Sequence, residues 1–235
     1  MQTQVVEQEA ADTILMPEKT PMLEKKRPEK KRETDPEPKP RQDSGGAKDG
    51  TSLSPEARRI AEAARTLIHE KGYHRVSLEE VAAVVATEAS VVTSYFSSKE
   101  ELCQRVMELH RESLTGLFDQ TLEHSNPRQR LGQYLDCLAQ EAETLVRYGC
   151  PITRLYVELQ QESSSLAQPA AALFRLRLDW ITEQFRMMGK VDEANDFAIR
   201  LTGALYGVTL LASAAGDQAV LKAQLLQLKS WIRSM

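Results

Sequence analysis

From residue 54 onward, apolar and polar positions alternate with helical spacing. Ile60, Ala63, Ala64, Leu67 and Ile68 recur three and four apart, so one stripe of a helix faces a core. Ser54-Pro55-Glu56 opens that helix with a serine cap, a proline whose missing N–H costs nothing at the first helical position, and an acid in the first turn. Ser77-Leu78-Glu79-Glu80 predicts a capping box and a short helix through Val85. A turn at Ala86-Thr87-Glu88 leads into a second short helix, Ala89 to Tyr95. Three helices with a tight turn between the last two predict a helix-turn-helix head over residues 51–100. Ser98-Lys99-Glu100-Glu101 predicts another capping box and a long fourth helix running to about Glu123.

The remainder, residues 101–235, continues in helices separated by short breaks. Asn126-Pro127 predicts a helix that ends near Gly149, and Pro151 opens another after Cys150. Ser163-Ser164-Ser165 interrupts the pattern before a helix carrying Phe174, Leu178, Ile181 and Phe185. Gly189 closes that helix, Asp192 opens the next, and Gly216-Asp217 separates the last. The pattern predicts an all-α fold of about nine helices and no strand.

Residues 1–50 follow a different composition. Pro17, Pro21, Pro28, Pro36, Pro38 and Pro40 all fall there, among charges and few large apolar residues, which predicts a disordered tail. Within it, the basic cluster from Lys25 to Arg32 reads either as a solvated linker or as an arm that tracks DNA phosphates.

Charge and chemistry-bearing residues narrow the picture. With a formal net charge of −4, any nucleic-acid surface must be local. Between Thr51 and Glu100, acids slightly outnumber lysines and arginines. The three cysteines, Cys103, Cys137 and Cys150, are far apart and form no CxxC, which suits a reduced, cytoplasmic protein. No run approaches the ~18 consecutive apolar residues of a membrane span, and the N-terminus has neither the basic start nor the apolar block of a signal peptide. His69, His74, His110 and His124 are scattered, and Cys103 with His110 supplies only two ligands on one helix face, so no metal or cofactor is expected. Without a phosphate-cradling glycine loop, a nucleophile elbow or a carboxylate pair, no enzyme is expected either.

Arg59-Ile60-x2-Ala63-Ala64-x2-Leu67, Glu70-Lys71-Gly72-Tyr73, Val76-Ser77-Leu78-x2-Val81-Ala82 and Tyr95-Phe96-x2-Lys99-Glu100-x-Leu102 follow one another without a gap. This run resembles the head of TetR/AcrR transcriptional regulators. The resemblance implies a homodimer that binds a double-stranded DNA operator and is released from it by a small effector. It places Ser77, Ala89, Ser90, Val91, Thr93, Ser94, Tyr95 and Lys99 at the DNA, with Lys99 at a phosphate. The turn and two positions of the helix after it depart from the family pattern. The turn, usually Ala-Gly-Val-Ser, is Val85-Ala86-Thr87-Glu88, and Ala89 and Thr93 stand where a basic or polar residue and a tyrosine are usual. A second reading therefore stays open: a sensor or partner-binding protein of this fold with little DNA affinity of its own.

Behind the head, the resemblance implies a ligand-binding and dimerisation domain. Tyr148-Gly149-Cys150-Pro151-Ile152 looks like a turn between two ligand-domain helices. Leu114, Phe118, Tyr134, Cys137, Tyr156, Phe174, Trp180 and Phe185 are candidates to line a cavity or simply to pack in the core. Cys150, also a candidate to contact the ligand, precedes a helix start that favours a thiolate, which makes it either a sensing thiol or a small turn residue. Gly203, Gly207, Leu210, Leu211, Ala214, Leu225, Leu228 and Ile232 are the expected dimer contacts, carried by two helices that resemble the family's dimer pair, although the small residues equally suit a helix crossing within one chain.

Overall fold

The computed structural model describes residues 53–161 and 165–235, within one compact unit, Asp49–Met235. The tail expected over residues 1–50, with its basic cluster, lies outside the described residues, as do Ser163 and Ser164. Among the described residues there are ten helices and no strand. They are α1 (Pro55–Lys71), α2 (Leu78–Val84), α3 (Ala89–Tyr95), α4 (Lys99–Thr121), α5 (Pro127–Gln140), α6 (Ala142–Tyr148), α7 (Pro151–Gln161), α8 (Ala167–Met187), α9 (Ala194–Ala215) and α10 (Gln218–Ser234).

The caps carry most of the boundaries. Ser54, Ser77, Ser98, Asn126 and Asp217 each accept a backbone N–H of the helix they open, at 2.8–3.2 Å. The reciprocal halves of the two expected capping boxes go elsewhere. Glu80 pairs with Lys71, and Glu101 accepts from the backbone and hydroxyl of Ser97, one residue before the cap. Asp192 does not open α9, which begins two residues later behind Glu193.

One helix expected between Asn126 and Gly149 is two. At Glu141 the backbone leaves the α-helical region (φ −87, ψ 9), which ends α5 and starts α6. The bend lets α5 lie on α4, α8 and α10, while α6 turns Ala142, Leu145 and Val146 into α9 and α10. Such a choice of neighbours leaves no mark in local periodicity.

In the head, α2 ends in a Schellman turn. The N–H of Thr87 reaches the carbonyl of Ala82 at 3.0 Å and that of Ala86 reaches Ala83 at 3.2 Å. This turn places Ala86 at φ +51, the left-handed region that glycine ordinarily fills. Arg59 of α1 braces it by donating from Nη1 to the Val85 carbonyl at 2.9 Å. At the far end of α1, Gly72 sits at φ +92, and a Cβ there would lie 2.5 Å from Oε1 of Glu158 on α7. The backbone angle favours glycine, while the Glu158 carboxylate, the end of a flexible side chain, could move aside for a Cβ.

α1 packs along α4, and α4 continues into the body against α5 and α8. The expected boundary at residue 100 thus falls within the first turn of α4, a helix common to head and body.

Candidate nucleic-acid interface and cavity

α3 presents its polar side outward. Ser90, Thr93, Ser94 and Tyr95 are exposed, Ala89 and Val91 half-buried, and Val92 fully buried as the anchor that holds α3 onto the head. The hydroxyls are held by the protein itself. Thr93 donates to the Ser90 carbonyl at 3.0 Å, Ser94 to that of Val91 at 2.6 Å, and Ser90 to the Glu88 carboxylate at 3.1 Å. Each hydroxyl oxygen keeps a free lone pair facing solvent. Ser77 serves as the cap of α2. Lys99, in the first turn of α4, donates to the His74 carbonyl at 3.2 Å and lies 4.4 Å from the centre of the Tyr73 ring. It thereby ties the loop between α1 and α2 to α4. Arg75, exposed in that loop, has no ion pair among the described residues and is a cation the sequence reading passed over.

Between the end of α1 and helices α4 to α9 lies a cavity of about 900 Å³. Arg65, Thr66, His69 and Glu70 of α1 form part of its wall, so it touches the helix that carries the head. Of the expected cavity residues, Leu114, Tyr134, Cys137 and Cys150 line it. Phe118, Tyr156, Phe174, Trp180 and Phe185 do not line it and fall to the other expected reading, packing in the core. Phe118 and Trp180 stack on each other with ring centres 4.4 Å apart, and Trp180 lies 5.5 Å from the Tyr134 ring, so both back the wall rather than form it. Tyr156 is a further layer out, edge-on to Phe174, which in turn meets Tyr206. Phe185 belongs to a separate cluster with Phe197 and Trp231. All of these sit at helical core spacing, and periodicity cannot separate a wall from the layer behind it.

Arg177, Tyr206 and His110 line the cavity and were not anticipated. The signal for Arg177 was present: Ala170, Leu173, Arg177 and Ile181 form one buried stripe of α8, so an arginine stands in an apolar register. Its Nη1 donates to the Tyr206 hydroxyl at 3.1 Å and approaches the Cys150 sulfur at 4.0 Å. Burial, helped by Arg65, His69 and Arg177, pushes the His110 imidazole down to about 4, so it is neutral at pH 7. Burial also pushes the Cys103 thiol up to about 12. Among the described residues no cluster of side chains is suited to hold a metal ion.

On the far side of the body, Gly203, Gly207, Leu210, Leu211 and Ala214 are exposed along one side of α9, with Leu210 at 71% and Leu211 at 66%. Leu225 and Ile232 are instead buried inside the protomer and Leu228 half-buried, because Leu221, Leu225, Leu228 and Ile232 form the stripe of α10 that packs on the body. Leu226, 64% exposed, is the large apolar residue α10 turns outward. By length and composition alone α9 is apolar enough to cross a membrane, with a mean hydropathy of 1.4. Its inner side, with Leu201, Leu205 and Ala212, is buried in the body.

Residues 60–106 match the model of a family described as bacterial regulatory proteins, tetR family. An uncharacterised HTH-type transcriptional regulator of Lactococcus lactis subsp. lactis is 29% identical over 122 residues, which span 49% of this chain and 61% of that relative. Among solved structures, a TetR transcriptional regulator from Legionella pneumophila superposes with a TM-score of 0.68 at 20% identity, covering 78% of this chain and 98% of its own. A second, from Chloroflexus aurantiacus, gives 0.65 at 21% identity over 75% and 93%. A third, from Agrobacterium tumefaciens, gives 0.65 at 22% identity over 74% and 96%.

Proposed function

We propose that the chain, whose residues 60–106 match the tetR family model, is a homodimeric repressor of that family, acting in the cytoplasm, whose operator binding is relieved by a small molecule in the cavity. The observation that carries this reading is the shared wall: α1 supports the recognition helix at one end and lines the cavity at the other. A ligand wedged between α1, α4 and α7 changes how the heads are held. Two heads must meet successive major grooves about one helical turn apart or more, so a small displacement costs affinity. At the DNA, Ser90, Thr93, Ser94 and Tyr95 would meet base edges and phosphates, while Arg75, Lys99 and the start of α4 would hold the backbone. The exposed side of α9, with Leu226 of α10, supports pairing of two copies.

The test is binding of the purified protein to its own upstream DNA, beside a scrambled duplex, at low and moderate salt. Specific binding that weakens steeply with salt, and that Thr93→Ala and Lys99→Ala reduce, is the expected result. The second reading, a sensor or partner-binding protein with little DNA affinity, draws on α3 itself, which carries no lysine or arginine and opens beside Glu88. Equal, weak binding to both duplexes, with no enriched site in a genome-wide pull-down, would favour it.

A further inference from the structure

We infer that the cavity is an acid-binding site, and that its ligand is a small amphipathic carboxylate gripped by Arg177 and the Tyr134 hydroxyl. The inference rests on the cavity being the effector site of the proposed regulator and names the class of molecule it takes.

Arg177 is only 8% exposed, yet it makes no ion pair with any described carboxylate. Among the described residues, only its Nη1 is engaged, and the partners are a phenol and a thiol rather than an acid. Its Nε is buried with no partner among them. A buried guanidinium without a counter-charge is among the costliest groups a fold can hold, unless something else completes it. The Tyr134 hydroxyl, fully buried on α5, likewise has no partner among the described residues. Burial raises its phenol, and pushes that of Tyr206 up to about 12, so both remain O–H donors. Tyr206 already accepts from Arg177, which leaves its own proton free to donate.

The other charged groups around the cavity do not neutralise Arg177. Glu70 and Glu141 are exposed at its margin. Arg65 is committed to Glu62 at 2.6 Å and to the Ser113 hydroxyl at 3.0 Å. His69 is engaged by the Gly149 carbonyl at 2.9 Å, and His110 is held neutral. The interior therefore presents one uncompensated positive charge and two phenol donors, all suited to oxygens that only accept. A planar carboxylate matches the guanidinium fork in shape and in its single charge. A phosphate dianion would leave a second negative charge buried, and an amine would oppose Arg177. Leu114, Leu117, Leu138, Leu145, Ile152 and Leu205 form the apolar part of the lining, which Thr66, Gln120, Gln140, Thr144 and Thr209 share. The apolar part favours an apolar body behind the acid, and the volume lies in the range of small-molecule sites.

The experiment compares octanoate and 4-phenylbutyrate with their primary amides and with octylamine, using the full chain in thermal melts and calorimetric titrations. The acids are expected to bind and raise the melting temperature, with each amide at least about tenfold weaker and octylamine without effect. Arg177→Met should abolish binding of the acids while raising the melting temperature of the empty protein, because the unpaired cation is gone. Tyr134→Phe should leave the empty protein's melting temperature unchanged or higher and weaken the acids about tenfold. Arg177→Lys, which keeps the charge without the fork, should retain part of the binding and guards against a misfolded Met variant. Acids and amides binding alike, acids binding Arg177→Met as they bind the parent, or no acid bound at about 10 mM would each overturn the inference. Operator binding measured in parallel separates the two ideas. A parent that holds DNA but ignores every acid loses only the acid site. One that binds acids but no DNA keeps that site and loses the repressor reading.

Discussion

Arg154 on α7 donates through Nη1 to the carbonyl of His69, 3.0 Å away, in the last turn of α1. The same nitrogen reaches the Glu70 carbonyl at 3.2 Å, and Nε reaches Glu158 Oε1 at 3.2 Å. Glu158 lies against Gly72. A cation thus satisfies carbonyls left free at a helix C-terminus and couples α7, whose first residues line the cavity, to the helix that carries the head. The Arg154→Ala variant should lose about 1–2 kcal/mol of stability in urea unfolding, since charge-assisted bonds to the backbone are removed. It should also loosen the end of α1, seen as faster amide exchange at Gly72 and Tyr73. An unchanged unfolding curve would show the contact contributes nothing.

Ala86 occupies the left-handed region at φ +51 in the turn before α3. A Cβ there is strained by about 1 kcal/mol, and glycine relieves it, less what glycine adds to the freedom of the unfolded chain. Ala86→Gly should therefore raise stability by about 0.5 kcal/mol, whereas Ala86→Val, with a branched Cβ, should lower it by more than that. Thermal melts of the three proteins side by side decide the matter.

His110 provides a pH signature. Its imidazole falls from an ordinary value of 6.5 to about 4 in the folded protein, chiefly through burial. Between those values the unfolded chain binds the extra proton and the folded one does not. Its contribution is complete above about pH 6.5 and is lost as pH falls toward 4, on the order of 2–3 kcal/mol. Stability should decline across that window in the parent and decline less in His110→Gln, followed by urea unfolding at each pH.

The two faces of the last helices should answer differently to substitution. Leu210→Glu and Leu211→Glu act on exposed positions and should leave the protomer's fold intact. They should shift the protein from dimer to monomer in light scattering, at micromolar concentration. Leu225→Ala, on a buried side chain, should instead cost about 2–4 kcal/mol of stability. If the glutamate variants remain dimeric, the pairing surface lies elsewhere.

Much of this protein is legible one residue at a time. Ser54-Pro55, Ser77, Ser98, Asn126-Pro127 and Gly216-Asp217 mark helix ends by chemistry that acts within three or four residues. The starts of α1, α2 and α4 follow from such marks, whereas α3 opens behind Glu88 without a side-chain cap. The break at Glu141 does not follow from them either, since α6 turns there to meet α9 and α10, which lie far along the chain from Ala194 onward.

The sequence by itself determined the helical fold and the helix-turn-helix head, because capping and the 3.6-residue period are local properties. Only the tertiary structure decided which apolar residues line the cavity, which merely back it, and which side of α10 faces the body. Those outcomes depend on how α1, α4, α5, α8 and α9 meet in space. The same arrangement leaves Arg177, a single charge in an apolar stripe of α8, buried beside two phenols and without an acid. A period identifies a buried side; only packing between distant helices determines what that side meets.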